Sequence, residues 1–328
     1  MNKKVILGIL ISTVLVYLSL RGIDFQDVIG NLQKIKISYV LIFLLLLFAI
    51  QWLRSYRWGI LLQPLGKIDQ LTLFSVTCVG FLAIMAIPAR LGELARPYLI
   101  SKKSPIKMSS ALGTILIERI LDSFTVLSIA VIVLFFMDLP PWMVKSCIIF
   151  FIITMMMIFF IAALIWRRDA SLRIINRILS VLPGKFAHKI DETIHRFIDG
   201  LLIIANLKIL LYLLFLSAAY WLVDVLTIYI LLEAFDLQLP AIASFVIMIV
   251  LIVGIAIPAA PGFIGNWHFA CILALSLFNV AKPAALSFAV VHNFLSIAII
   301  VVLGVAFLPF NKFSISDMKK QMKQTGCE

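Results

Sequence analysis

Charge is scarce in this 328-residue chain. Only 13% of its residues are Asp, Glu, Lys or Arg, against 63% that are hydrophobic, and soluble domains run near 25% charged. A water-exposed fold could not hide so much apolar surface. Also missing are metal-ligand spacings, a phosphate-binding glycine loop and any basic-aromatic module. Zinc and nucleotide chemistry and nucleic-acid partners are therefore not expected, nor is any cofactor or catalytic constellation. The four cysteines, Cys78, Cys147, Cys271 and Cys327, are scattered. Three lie in apolar segments as packing residues, so neither a disulfide nor a metal site is expected. The start, Val5–Leu20 behind Lys3 and Lys4, mimics a signal peptide but lacks a small-x-small cleavage site. It is expected to stay as a first span.

Long apolar runs take the place of what is missing. About 20 residues of helix cross the hydrocarbon of a bilayer, and backbone groups in lipid must pair internally, which makes helices the default. Six spans are expected at Val5–Leu20, Ser38–Trp58, Ser109–Phe136, Trp142–Trp166, Lys208–Leu232 and Ala284–Leu308. Two broken pairs lie between them, Leu71–Ile87 with Ala89–Ile100, and Pro240–Ile257 with Gly262–Asn279. The fold class expected is an all-α polytopic membrane protein, a single transmembrane domain over 1–328 with a basic tail at 311–328.

Sidedness follows from lysine and arginine. If each broken pair enters and leaves on one side, both termini are cytoplasmic. Of the 28 basic residues, only Arg21, Lys34, Lys36, Lys145 and Lys282 then fall outside, and Arg119 lies within a span. This satisfies the positive-inside rule, and it accounts for the net charge of +12 without a nucleic-acid partner. The polar region Arg167–Leu207 is too short for a soluble catalytic domain. Leu172, Ile175, Leu179 and Leu182 share one helical face, and Phe186, Ile190, Ile194, Phe197 and Leu201 repeat the pattern after Pro183-Gly184. Helices lying on the inner surface, in contact with anionic head groups, are one reading; a packed linker is the other.

The tetrapeptide Ala-Ile-Pro-Ala occurs at Ala86–Ala89 and again at Ala256–Ala259, with Gly92 and Gly262 at matching offsets. A shift of 170 residues lays span two on span five and span three on span six. By the charge count the halves, roughly 1–138 and 139–310, run in opposite directions, the inverted-repeat plan of many transporters. Pro88, Gly92, Pro258, Pro261, Gly262 and Gly265 mark the breaks. Proline removes a donor and glycine relaxes φ, so the chain can turn inside protein. Ordinary proline kinks are the plainer alternative.

Span three carries Glu118, Arg119 and Asp122 near mid-depth. Each costs on the order of 2.5–3.5 kcal/mol there on insertion scales. They must therefore face protein or water, and one arginine between two carboxylates calls for a further cation. The first break offers Arg90, Glu93 and Arg96, recurring every three residues; arginine's fork suits phosphate and carboxylate. The second break has no fixed charge and offers Asn266 and His268. Asp224, His292 and Asn293 are further polar intrusions. Arg54 and Arg57, among Trp52, Tyr56 and Trp58, read mainly as interface anchors.

Four motifs stand in order: Leu53-Arg54…Arg57-Trp58…Leu61-Leu62, Pro88-x-Arg90-x-Gly92-Glu93-x-x-Arg96, Glu118-Arg119-x-x-Asp122 and Pro261-Gly262-x-x-Gly265. Together they resemble the flippase-like transmembrane region of lysylphosphatidylglycerol synthases and their stand-alone relatives, over almost the whole chain. The resemblance implies a lipid-translocating bundle with re-entrant helices. Synthases of this family add a cytoplasmic aminoacyl-transfer domain, and this chain ends soon after span six, so lipid aminoacylation is not expected. Where the family often has a glutamate after the last glycine motif, this sequence reads Gly265-Asn266-Trp267-His268.

The functional expectation is a lipid flippase in a prokaryotic cytoplasmic membrane, with membrane lipids as partners. Arg90 and Arg96 would hold the head-group phosphate, while Glu93, Glu118, Arg119 and Asp122 would line the path. An ion-coupled carrier of a small solute is the alternative, and a membrane-embedded lipid-modifying enzyme a third.

Overall fold

The computed structural model describes residues 3–86, 92–166, 200–201, 206–256 and 260–311. Within them lie eleven α-helices and no strand. They are α1 (Lys3–Leu20), α2 (Phe25–Gln33), α3 (Ile37–Leu62), α4 (Gln70–Ala86), α5 (Ala95–Lys103), α6 (Met108–Leu134), α7 (Pro141–Trp166), α8 (Leu207–Ala234), α9 (Ile242–Ala256), α10 (Asn266–Ser276) and α11 (Lys282–Asn311). α3, α8, α11 and the stretch Pro141–Phe159 of α7 are long and apolar enough to cross a bilayer. α6 matches them in length, with 27 residues, but holds Glu118, Arg119 and Asp122.

The 170-residue repeat extends to the helix boundaries. Shifted by that amount, α3, α4, α5 and α6 fall on 207–232, 240–256, 265–273 and 278–304, which are the places of α8, α9, α10 and α11. Packing repeats as well: α3 lies on α4 as α8 lies on α9, α4 on α5 as α9 on α10, and α5 on α6 as α10 on α11. The mates α3 and α8 pack against each other along their length. Lys36, just before α3, donates its backbone N–H to Ala234 O at 3.0 Å and pairs with Asp236 at 2.9 Å. Further along, Arg54 meets Tyr220, Tyr56 meets Tyr212 and Arg57 meets Ser217. Residue numbers rise on one helix as they fall on the other, so the two mates run antiparallel.

Each repeat holds a short helical hairpin. In the first, α4 descends and α5 returns beside it. Gly92 makes the close turn possible, because a Cβ there would collide with the backbone of Ala83 and Ile84. The ends of the hairpin meet: Lys67, Asp69 and Thr72 face Lys103 and Pro105 across one groove. In the second hairpin, a 3-10 turn at Pro261–Phe263 precedes α10. Gly265 has φ +93°, a conformation that L side chains rarely adopt, and a Cβ there would sit 2.5 Å from Ser12 O of α1. Ser12 Oγ in turn accepts the Ala260 N–H at 2.8 Å, tying α1 to this hairpin.

Sequence and structure differ at three places in the fold. α2 has no counterpart in the predicted spans. It is a nine-residue amphipathic helix capped by Asp24, whose carboxylate accepts the Gln26 N–H, and it is too short and too polar to register as a span. α5 begins at Ala95 and runs to Lys103, later than the predicted 89–100. The second break is wider than predicted, since regular helix resumes only at Asn266. Pro88, Arg90, Pro258, the surface-helix region at 167–199 and the tail beyond Asn311 lie outside the described residues.

Candidate functional site

Three helices, α3, α5 and α6, bring ionised side chains together among the two hydrophobic cores of the bundle, and α8 adds the neutral Ser217 and Trp221. Arg57, Arg96 and Glu118 are each 1% exposed. Arg96 stands in the first turn of α5 and donates two parallel hydrogen bonds to Glu118, Nη1 to Oε1 at 3.2 Å and Nη2 to Oε2 at 3.0 Å. Such a fork-to-fork pair fixes direction as well as charge. Arg57 of α3 lies on the other side of the same carboxylate, with Nη2 3.4 Å from Glu118 Oε1. Its Nη1 donates to Asp122 Oδ1 at 2.6 Å and to Ser217 Oγ at 2.8 Å.

Aromatic rings wall this network. The Arg96 guanidinium carbon sits 4.2 Å from the Trp58 ring centroid, and Trp58 Nε1 donates to Thr114 Oγ1 at 3.2 Å. The Arg96 stem passes over Gly80 of α4, where a Cβ would collide with it. Trp221 Nε1 donates to Asp122 Oδ1 at 3.3 Å. Stacked guanidinium and shared donors let these charges stay buried in the bundle, where each alone would be costly.

A second layer adjoins the first. Arg54 donates Nε to Tyr220 OH at 3.0 Å and Nη1 to Gln51 Oε1 at 3.1 Å, and it stacks 4.3 Å from the Phe81 centroid. Asp224 lies one turn beyond Tyr220 within electrostatic reach of Arg54. Arg119 is half-buried and lies within electrostatic reach of Glu93, Glu118 and Asp122.

The structure thus brings together Arg96, Glu118 and Asp122, with Glu93 and Arg119 at their edge. The cations that balance Glu118 and Asp122 are Arg57 and Arg96. The interface-anchor reading of Arg57 is therefore corrected: it is a buried centre of the network. Arg54 is likewise half-buried on Tyr220 rather than splayed to an interface. Arg96 spends both Nη groups on Glu118, so a phosphate could take it only in competition with that carboxylate. Sequence reading missed Trp58 as a stacking wall, and it missed Thr114, Ser217, Tyr220 and Trp221. One signal was available: Gln51, Arg54, Ser55 and Trp58 recur at helical spacing within an apolar span, a polar stripe on one face.

The repeat places no Asp, Glu, Lys or Arg at the four matching positions of the ion network, although Arg54 corresponds to Asp224. At the 170-residue offset, Arg57 corresponds to Thr227, Arg96 to Asn266, Glu118 to Phe288 and Asp122 to His292. His292 is boxed by Phe43, Trp267 and Phe288. Asn293 Nδ2 donates to Gly262 O at 3.3 Å and steadies the 3-10 turn, and Asn266 Nδ2 donates to Gly254 O at 3.1 Å. The Nδ1 atoms of His268 and His292 and the Nε1 of Trp267 have no hydrogen-bond partner among the described residues. His268 and His292 thus stand apart from the ionic cluster of the first half. Among the described residues no three His, Cys, Asp or Glu side chains gather as metal ligands.

Comparison with known proteins agrees with this architecture. The family model described as the lysylphosphatidylglycerol synthase TM region matches residues 5–304. A UPF0104 membrane protein of Methanothermobacter thermautotrophicus is 29% identical over 304 residues, covering 87% of this chain and 89% of the relative. Two UPF0104 membrane proteins of Methanocaldococcus jannaschii are also similar. One is 27% identical over 66% of this chain and 89% of its own length; the other is 23% identical over 97% of this chain and 98% of its own length. No solved structure matches. With a family model spanning nearly the whole sequence, the chain belongs to the lysylphosphatidylglycerol synthase transmembrane-region family.

Proposed function

We propose that this protein moves a polar-headed lipid between the leaflets of a prokaryotic cytoplasmic membrane. The carrying observation is the buried network of Arg57, Arg96, Glu118 and Asp122, set where the α4–α5 hairpin meets α3, α6 and α8. A head group crossing hydrocarbon needs polar contacts at depth while its tails stay in lipid. This network offers fixed charges of both signs there, and its members are exchangeable partners. A phosphate can replace Glu118 on Arg96 or Asp122 on Arg57, and a cationic group can take the carboxylate so released. The hairpin supplies a short element able to shift without unwinding a full span, and the antiparallel α3–α8 mates supply an axis about which two halves can rock.

The test is reconstitution of the purified chain in vesicles carrying trace lipids labelled at the head group. A membrane-impermeant reductant bleaches only the outer leaflet, so exchange appears as bleaching beyond one half. The proposal expects head-group-dependent exchange in vesicles with protein and none in empty ones. Uptake of labelled small solutes in the same vesicles, with no lipid exchange, would favour the ion-coupled carrier. New lipid species would favour an enzyme.

A further inference from the structure

The two ends of the α4–α5 hairpin flank an open groove of about 320 Å³ lined by Lys67, Ile68, Asp69, Thr72, Lys103, Ser104 and Pro105, with Lys67, Asp69, Lys103 and Pro105 exposed. Its walls are held together, since the loop carrying Gly66 packs on Ile106 and Pro105. The groove contains two ammonium groups and one carboxylate, and that carboxylate is already engaged. Asp69 Oδ2 accepts the Thr72 N–H at 2.8 Å, capping α4, and the hydrogen bonds from Thr72 hold its carboxyl below the ordinary range. Neither lysine forms an ion pair among the described residues. Lys103 is exposed; partial desolvation lowers its ammonium pKa somewhat and Asp69 opposes this. An anion in the groove would meet two ammonium groups that line one opening.

We propose that this groove docks the phosphate of an anionic lipid head group, as the station through which the head group reaches the hairpin. The assignment rests on the lipid-translocation reading and adds an entry point to it. Position supports it: Lys103 ends the helix that carries Arg96 in its first turn, seven residues or about 10 Å away along its axis. Ile68 and Pro105 give the site an apolar flank for the glycerol backbone. Free phosphate shares the same chemistry but gains nothing from that flank.

The test measures binding to the full chain in neutral detergent, by native mass spectrometry or thermal shift. The probes are phosphatidate with eight-carbon chains, phosphatidylcholine of equal length, and inorganic phosphate. The short phosphatidate is expected to bind more tightly than either other probe. Lys67→Ala with Lys103→Ala should weaken it roughly tenfold or more. Lys67→Arg with Lys103→Arg should retain most of the affinity. Lys107→Ala, an exposed lysine outside the groove, should change nothing. Equal weakening by Lys107→Ala would mean general surface attraction and overturn the site. So would an unweakened double-alanine variant, or inorganic phosphate binding as tightly as the lipid. The two readings fail separately. Lysine-dependent phosphatidate binding by a protein that exchanges no lipid rejects translocation alone, and exchange with no such dependence rejects the docking site alone.

Discussion

Arg57 Nη1 donates to Asp122 Oδ1 at 2.6 Å, joining α3 to α6 across 65 positions of sequence inside the bundle. Removing one partner of such a pair strands the other in low dielectric. Arg57→Ala is therefore expected to lower stability by about 3–5 kcal/mol, read as a fall in the thermal midpoint of the purified protein in detergent. Arg57→Lys keeps the charge but, as a point donor, cannot span Asp122 and Glu118 together. Its midpoint should fall between the two.

Arg96 and Glu118 are expected to behave as one unit. Arg96→Met and Glu118→Gln should each destabilise the protein. The double variant should lose less than the two singles combined, with a coupling of about 0.5–3 kcal/mol. Unfolding midpoints of the four proteins check this. Strict additivity would mean that the bidentate pair carries no coupling.

Trp58 has two roles that substitution can separate. Trp58→Phe keeps a ring under Arg96 but removes the hydrogen bond to Thr114 Oγ1, a loss of about 0.5–1.5 kcal/mol. Trp58→Ala removes the stacking wall as well and opens a cavity, a loss of about 3–5 kcal/mol. Thermal unfolding of both variants gives the comparison.

Gly92 sits against the backbone of Ala83 and Ile84, so Gly92→Ala forces the α4–α5 turn open at a cost of about 1–3 kcal/mol. Gly30→Ala is the matched control, since open space surrounds that position. Arg96 should lose its register with Glu118 in the first variant only. Accessibility of a cysteine introduced at Leu94 to a soluble thiol reagent reports the opening.

The helix boundaries were legible because hydropathy is written locally. Apolar runs named α3, α4, α6, α7, α8 and α11 to within a few residues, and Ala-Ile-Pro-Ala at Ala86 and Ala256 exposed the repeat. α2 escaped because nine residues with Asp27 and Gln26 carry too little apolar length. The carboxylates Glu118 and Asp122 are legible as costly groups in need of cations, with the first break, Arg96 included, as one source; Arg57 as the other is not legible. Arg57 lies five residues from the end of α3, where a basic residue ordinarily marks an interface. Only the antiparallel packing of α3 on α8, with α6 alongside, turns it inward onto Asp122 and Ser217. Arg96 and Glu118 are both legible, and the first break is where a cation for that carboxylate is sought; the bidentate geometry is not legible, because the reach from α5 to α6 depends on how Gly80 and Gly92 let the hairpin close.

The decisive measurement is head-group exchange by Glu118→Gln in vesicles, with Phe288→Leu as the variant at the corresponding position of the second half. Both proteins should be recovered folded from detergent. The account predicts that Glu118→Gln loses exchange at least tenfold while Phe288→Leu keeps most of it. Equal exchange by wild type and Glu118→Gln would contradict the account.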